Sequence, residues 1–233
     1  MKQIWHDLLF AHWPVPIEQL RPLIPQALQI DTYEGQAWIG VVPFRMSGIR
    51  PRWMPALPWI SAFPELNVRT YVIANNKPGV WFFSLDAANP VAVAVARRWY
   101  HLPYFHARMA CRGAGDSIAY ESHRLHRSAP SATFVGQYHP VGLVFQAERG
   151  SLVYWLTERY CLYAVDARQR LYRGEIDHPP WPLQMAEAQF ATETMTHPLG
   201  IKLPDRPMLL HFSRRQEVRV WQIRVVERES GHG

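Results

Sequence analysis

Twenty prolines spread over 233 residues constrain this chain more than any other feature. Proline fixes φ, lacks a backbone N–H and pushes the residue before it out of the helical region. Steps such as Trp13-Pro14, Leu57-Pro58 and His178-Pro179 therefore end any helix they meet. This argues against long helices and helical repeats and for a chain of short elements. Between the prolines lie alternating polar and apolar runs joined by tight turns. That pattern favours antiparallel strands, because parallel pairing needs a crossover each time. With 48% hydrophobic and 13% aromatic residues against 19% charged, there is ample apolar surface to close a core. The expectation is one α+β domain over residues 1–233, predominantly antiparallel β, with a few peripheral helices.

Residues 16–28 read as a short helix interrupted near Pro22 and Pro25, with Ile17, Leu20 and Ile24 inward. Residues 31–35 read as a turn into a strand over 36–45. Phe63–Ala74 and residues 80–85 make two more strands, joined at 75–79. Asn89-Pro90 supplies a cap followed by proline at the first helical position, opening a helix to about Tyr100. A second β-rich stretch begins near Phe105, with strands over 106–111 and 117–125 about a hairpin turn at 112–116. Residues 152–165 and 171–175 flank a turn at 166–170, residues 180–195 read as a helix, and 217–226 as a last strand.

Phe63–Ala74 carries the most telling pattern. Its alternation puts Glu65, Asn67, Arg69 and Tyr71 on one face and Leu66, Val68, Thr70 and Val72 on the other. Residues four apart on a strand stand roughly 13 Å apart, so Glu65 and Arg69 cannot neutralise each other. Taken alone, the strand fits a solvated outer face slightly better than a site. If the face is buried, each charge needs another partner, because an unpaired buried charge costs on the order of 3–5 kcal/mol. Residues 157–163 read as a strand that sets an acid and an arginine among aromatics, with Arg159 and Tyr163 on a shared face. Together with the Glu65 row it could line a polar cavity suited to a small anionic or polar ligand. Two unrelated ion pairs account for it equally well.

Other chemistries find less support. Among eleven histidines, His101 with His106 and His123 with His126 are close, yet neither pair matches a ligand motif, so no metal is expected. Arg112-Gly113-Ala114-Gly115 lacks the lysine and the strand-to-helix setting of a phosphate loop, and no nucleophile elbow surrounds Ser84 or Ser122; no cofactor is expected. The three lysines, Lys2, Lys77 and Lys202, sit at the terminus, in a turn and in a proline-bounded loop, not in the desolvated setting an imine-forming amine requires. Cys111 and Cys161 make no disulfide framework. With no secretory signal and no apolar run of ~18 residues, this fits a cytoplasmic protein without a membrane partner. The net charge of +6 comes from scattered arginines rather than a basic stripe. Arg50-Pro51-Arg52-Trp53 could stack bases, but its setting reads as a surface loop, so nucleic acid is not expected as a partner. Trp53, Pro55, Pro58 and Trp59 could form a flap or a partner patch, with ordinary loop packing as the default.

Taken together, His12-Trp13, Val42-Pro43-Phe44, the row over 63–72, Leu102-Pro103-Tyr104, Thr157-Glu158-Arg159-Tyr160 and His178-Pro179-Pro180-Trp181-Pro182 resemble the uncharacterised YqjF-like proteins, domain of unknown function 2071. The likeness covers nearly the whole chain. Those proteins look like relatives of acetoacetate decarboxylase, so the resemblance implies an acetoacetate decarboxylase-like β-barrel core with a central cavity. It implies no assigned activity. The decarboxylase forms its Schiff base on a lysine after a Tyr-Pro step. The nearest counterpart here, Leu102-Pro103-Tyr104-Phe105, holds no lysine, and decarboxylation by that route is not expected. The resemblance also sets Glu65 beside an acidic residue of the decarboxylase pocket.

The chain is therefore expected to bind a small polar or carboxylate-bearing metabolite through Glu65, Asn67, Arg69, Tyr71, Arg159 and Tyr163. Arginine orients the anion, Asn67 and Tyr71 direct hydrogen bonds, and Glu65 acts as acid or base if desolvation raises its pKa toward neutrality. A homo-oligomer is compatible with this reading. Two rivals stand beside it: a non-catalytic binding or sensing protein on the same barrel, and a protein- or nucleic-acid-docking module whose polar rows face outward.

Overall fold

The computed structural model of the protein describes residues 1–50, 62–127 and 129–227. The flap expected around Trp53, Pro55, Pro58 and Trp59, and the Pro51-Arg52-Trp53 step, lie outside the described residues. In chain order, strand β1 (Lys2–Val15) is followed by helix α1 (Ile17–Leu20), a 3-10 turn at Arg21–Leu23 and the short β2 (Gln29–Ile30). The long strands β3 (Ala37–Arg50), β4 (Phe63–Ala74) and β5 (Lys77–Ala87) come next. Helix α2 (Pro90–Tyr100) precedes β6 (Tyr104–Ala114), β7 (Ser117–Arg124) and β8 (Thr133–Phe145). Helix α3 (Leu152–Thr157) leads to β9 (Cys161–Val165), β10 (Leu171–Asp177), β11 (Leu183–Glu193), β12 (Leu209–Val220) and β13 (Arg224–Val225).

Among the described residues, the 13 strands form one sheet that closes on itself. From β5 the ring runs through β6, β7, β8, β11, β12, β1, β3 and β4, and β4 pairs β5 again. Every pairing in that ring is antiparallel except β5 with β6, and α2 supplies the crossover that a parallel pair requires. The β4–β5 hairpin turns on Asn75 and Asn76, with φ of 46° and 55°. Positive φ at both central residues matches the right-handed twist of the strands, and asparagine tolerates it better than most residues. Asn89 caps α2, its side chain accepting from the amides of Val91 and Ala92, with Pro90 at the first helical position.

Both faces of β4 are covered. Leu66, Val68 and Val72 join an apolar cluster with Leu9, Ile39, Tyr120 and Phe134. The opposite face meets two further clusters, one around Phe10, Phe44 and Trp181 and one around Phe82, Leu85 and Leu102. The β4–β5 register slips once, where Val68 opposes Ser84 but Arg69 opposes Phe82. Phe83 is the extra residue of this bulge. Strict alternation would set Val80 and Phe82 opposite Leu85; the bulge lets all three face one interior space.

Several elements differ from expectation. The helix expected over 16–28 shrinks to α1 and its 3-10 turn, because Pro22 and Pro25 remove the donors a longer helix needs. Arg21 instead ties the segment by donating to the carbonyls of Ile24, Pro25 and Leu28. Leu20 and Ile24 are buried as expected, whereas Ile17 is exposed. Residues 180–195 form strand β11 rather than a helix. Their Ala, Glu, Gln and Met favour a helix locally, but pairing with β8 and β12 on either side outweighs that weak preference. Residues 152–157 are helix α3, not strand. Among the described residues, no helix is long and apolar enough to cross a membrane.

Candidate functional site

The polar row of β4 faces inward, not into water. Glu65 is 3% exposed, Asn67 5%, Arg69 8% and Tyr71 0%. Glu65, Asn67 and Arg69 line a cavity of about 220 Å³ inside the ring, with Val80, Phe82 and Leu85 of β5 and the inner face of α2 forming much of its apolar wall. The outward-facing row that a docking module would need is absent from β4.

At one end, the Tyr104 hydroxyl donates to Glu65 Oε2 at 2.9 Å. Burial pushes the Glu65 carboxyl up to about 8, and the nearby Asp86 carboxylate pushes the same way, against the opposing pull of the Tyr104 hydrogen bond. Glu65 is therefore predominantly protonated at neutral pH. Asp86 sits next to it fully buried, but both of its oxygens are taken by Arg124, through Nε at 2.7 Å and Nη2 at 2.6 Å. Arg124 in turn lies over the Phe105 ring, 4.2 Å from its centroid.

At the other end stand two guanidiniums with different fates. Arg159 pairs with Asp31 at 2.7 Å, donates from Nε to the Trp155 carbonyl at 2.6 Å, and lies over the rings of Trp155 and Tyr71. Arg69 makes one long bond, Nη2 to the Leu156 carbonyl at 3.4 Å, and lies 5.4 Å from the centroid of Phe10. It has no carboxylate partner among the described residues. Arg69 Nε, Arg159 Nη2, Trp181 Nε1 and Asn67 Oδ1 are all buried without a hydrogen-bond partner among the described residues, and all four side chains line the cavity. Phe10 links this group in space, with Arg69 over its ring and Trp181 packed edge-on at 4.9 Å.

Tyr71 lies behind this lining rather than in it. Its hydroxyl donates to the Leu156 carbonyl at 2.9 Å and accepts from His12 Nε2 at 2.7 Å. Burial, with Arg69 nearby, holds the His12 pKa well below the ordinary range, so the ring is neutral. With Asp31 on Arg159 and Asp86 on Arg124, Arg69 is the guanidinium left at the cavity without a carboxylate among the described residues.

Tyr163 is not part of this group, which corrects the shared face expected with Arg159. Arg159 lies in the link between α3 and β9, so strand alternation does not relate the two. The Tyr163 hydroxyl instead donates to the carbonyls of Ala74 and Lys77 and helps fasten the β4–β5 turn. Tyr104 and Trp181 were missing from the expected site, although both lie in the motifs Leu102-Pro103-Tyr104 and His178–Trp181–Pro182 that carried the family resemblance. None of the three lysines lines the cavity; Lys77 is paired with Glu175 at 2.6 Å. Among the described residues, no three His, Cys, Asp or Glu side chains gather to hold a metal.

The model of family DUF2071, described as an uncharacterized conserved protein, matches residues 2–217. The uncharacterized protein YqjF of Bacillus subtilis (strain 168) is 49% identical over 224 residues, spanning 96% of this chain and 91% of its own length. Among solved structures, acetoacetate decarboxylase from Legionella pneumophila subsp. pneumophila str. Philadelphia 1 is similar with a TM-score of 0.66 at 11% identity, covering 97% of this chain and 87% of its own. The enduracididine biosynthesis enzyme MppR, in complex with pyruvate, is similar with a TM-score of 0.66 at 10% identity, covering 97% of this chain and 90% of its own. These last two likenesses concern the fold, which is the acetoacetate decarboxylase-like one implied by the family resemblance.

Proposed function

The chain belongs to the DUF2071 family of uncharacterized conserved proteins, and from that premise we propose that its cavity binds a small carboxylate-bearing metabolite, with Arg69 as the anion's anchor and Glu65 as an acid or base at the cavity's other end. The observation that carries this reading is the state of Arg69: nearly buried, without a carboxylate partner among the described residues, and with Nε unbonded. A buried unpaired charge costs on the order of 3–5 kcal/mol, and a carboxylate ligand offsets that cost through charge-assisted, forked hydrogen bonds. Arg159 Nη2 and Trp181 Nε1 offer two more donors to such a group, and Asn67 Oδ1 offers an acceptor to a hydroxyl or protonated oxygen on the ligand.

Glu65 supports acid–base chemistry because a group with a pKa of about 8 holds its proton at neutral pH and still releases it readily. The Tyr104 hydroxyl steadies the carboxyl that exchanges the proton. A lysine imine does not fit, since no lysine lines the cavity. The same fold accommodates a small 2-oxo acid in MppR, whose structure holds pyruvate.

A thermal-shift panel of small carboxylates tests the proposal. A ligand at about 100 times its Kd adds roughly 2.7 kcal/mol of stability. The expected result is selective stabilisation that disappears in Arg69→Met while circular dichroism shows the fold intact. A flat response across the panel sinks the reading. Incubating a stabilising compound with wild type and Glu65→Gln then separates turnover from simple binding, because loss of consumption with retained binding marks Glu65 as the proton-transfer group.

A further inference from the structure

We propose that the ligand is a hydrophobic monocarboxylic acid of about nine non-hydrogen atoms, and not a dicarboxylate or a polyhydroxy acid; this deepens the reading above and rests on it. Three observations lead there. The first is the charge count. Arg159 is matched by Asp31 and Arg124 by Asp86, which leaves Arg69 as the guanidinium facing the cavity without a carboxylate partner among the described residues, while the Met1 ammonium in the lining donates to the Val220 carbonyl. One negative charge completes Arg69; a second at the far end of the ligand would be buried against the apolar wall of β5.

The second is the wall between the two polar ends. Val80, Phe82 and Leu85 of β5 stand there with Leu102, Leu162 and Ile176, none of which offers a side-chain hydrogen bond. Hydroxyl groups pressed against that wall would lose water and gain nothing, whereas methylene groups or an aromatic ring would gain contact. The bulge at Phe83 brings three consecutive inward positions of β5 to this wall, which concentrates apolar surface where strict alternation would have placed a polar gap.

The third is size. An apolar cavity of ~150 Å³ takes benzene, with its six ring atoms. Scaling to about 220 Å³ gives room for roughly nine non-hydrogen atoms, carboxylate included. Heptanoate and benzoate are of this size. The carboxylate meets Arg69, and the apolar body runs along β5 toward Glu65 and Tyr104.

Isothermal titration of the full wild-type chain with straight-chain acids from acetate to decanoate tests this, with heptanamide, adipate and gluconate as controls. Each added methylene should tighten Kd about fourfold until the cavity fills near heptanoate, after which the gain stops. Adipate and gluconate should bind at least about tenfold more weakly than heptanoate, since each buries a polar end or hydroxyls against the apolar wall. Ala96→Leu, which narrows the α2 side of the cavity, should move the optimum to a shorter acid. If acetate binds as tightly as heptanoate, and Arg69→Met abolishes both, the apolar body is refuted while the anion anchor stands. If heptanamide binds as tightly as heptanoate, the anchor itself is refuted. Absence of binding across the series overturns both.

Discussion

Glu65→Gln isolates the cost of keeping a carboxyl in the cavity. In the folded protein this group holds its proton up to about pH 8, whereas in the unfolded chain it releases it near the ordinary 4.5. Between those values the folded state binds more protons than the unfolded one, so stability falls as pH rises. The contribution is complete below about pH 4.5 and lost progressively as pH climbs through 8. At 1.36 kcal/mol per pKa unit, a shift of this size amounts to about 5 kcal/mol, or roughly 10–20 °C of Tm for a chain of this length. Glutamine stays neutral throughout and still accepts from Tyr104, so the variant lacks this slope. Tm is measured for both proteins at half-unit steps from about pH 5 to 9, and the difference is plotted. Subtraction removes the other titrating groups, including buried His211, whose pKa of about 4 acts with the opposite sign, its stability being lost as pH falls. The variant should draw ahead steadily up to pH 8 and then hold its lead. Parallel curves over the whole range would mean that Glu65 ionises at its ordinary pKa, and its role as an acid near neutrality would be untenable.

Asp86→Asn should cost about 3–5 kcal/mol in urea denaturation, because the Arg124 side chain, 3% exposed, loses its counterion; adding Arg124→Met should recover most of it, and a loss under about 1 kcal/mol would count against the pair. Gly79→Ala should lower stability by roughly 1–3 kcal/mol, since its Cβ would lie 2.6 Å from Cys161 Sγ and 2.8 Å from the Cys161 carbonyl. Adding Cys161→Ala should relieve only part of that loss, as the carbonyl remains; an unchanged Tm in the single variant would show that β5 and β9 separate at little cost.

The parts of the molecule legible in the sequence are those set by local chemistry. The Asn89-Pro90 start of α2 was readable to the residue, since a side-chain cap and a missing amide act within one turn. So were the limits and the polar row of β4, whose period of two survives burial on both faces. What long-range pairing decides was not readable. β11 carries helix-forming residues and becomes a strand because β8 and β12 flank it. β1 went unrecognised, its run from Leu8 to His12 being buried on both faces and therefore free of alternation. Tyr163 was misplaced because strand periodicity was extended back through residues that form α3 and its exit. Tyr104 and Trp181 escaped as site residues because a lone phenol or indole carries no charge pattern; only the fold shows where each polar tip points.

Helix α2 walls the cavity with Ala92, Val95, Ala96 and Tyr100, yet Val93 is its one fully buried side chain. It hangs between the end of β5 and the start of β6 and contributes no rung to the sheet. On this side the interior is closed by side-chain packing alone, and no interstrand ladder runs through that wall. Arg97 of that helix donates to the Tyr104 carbonyl at 2.7 Å while the Tyr104 hydroxyl donates to Glu65, so a single residue ties the helix to the acid.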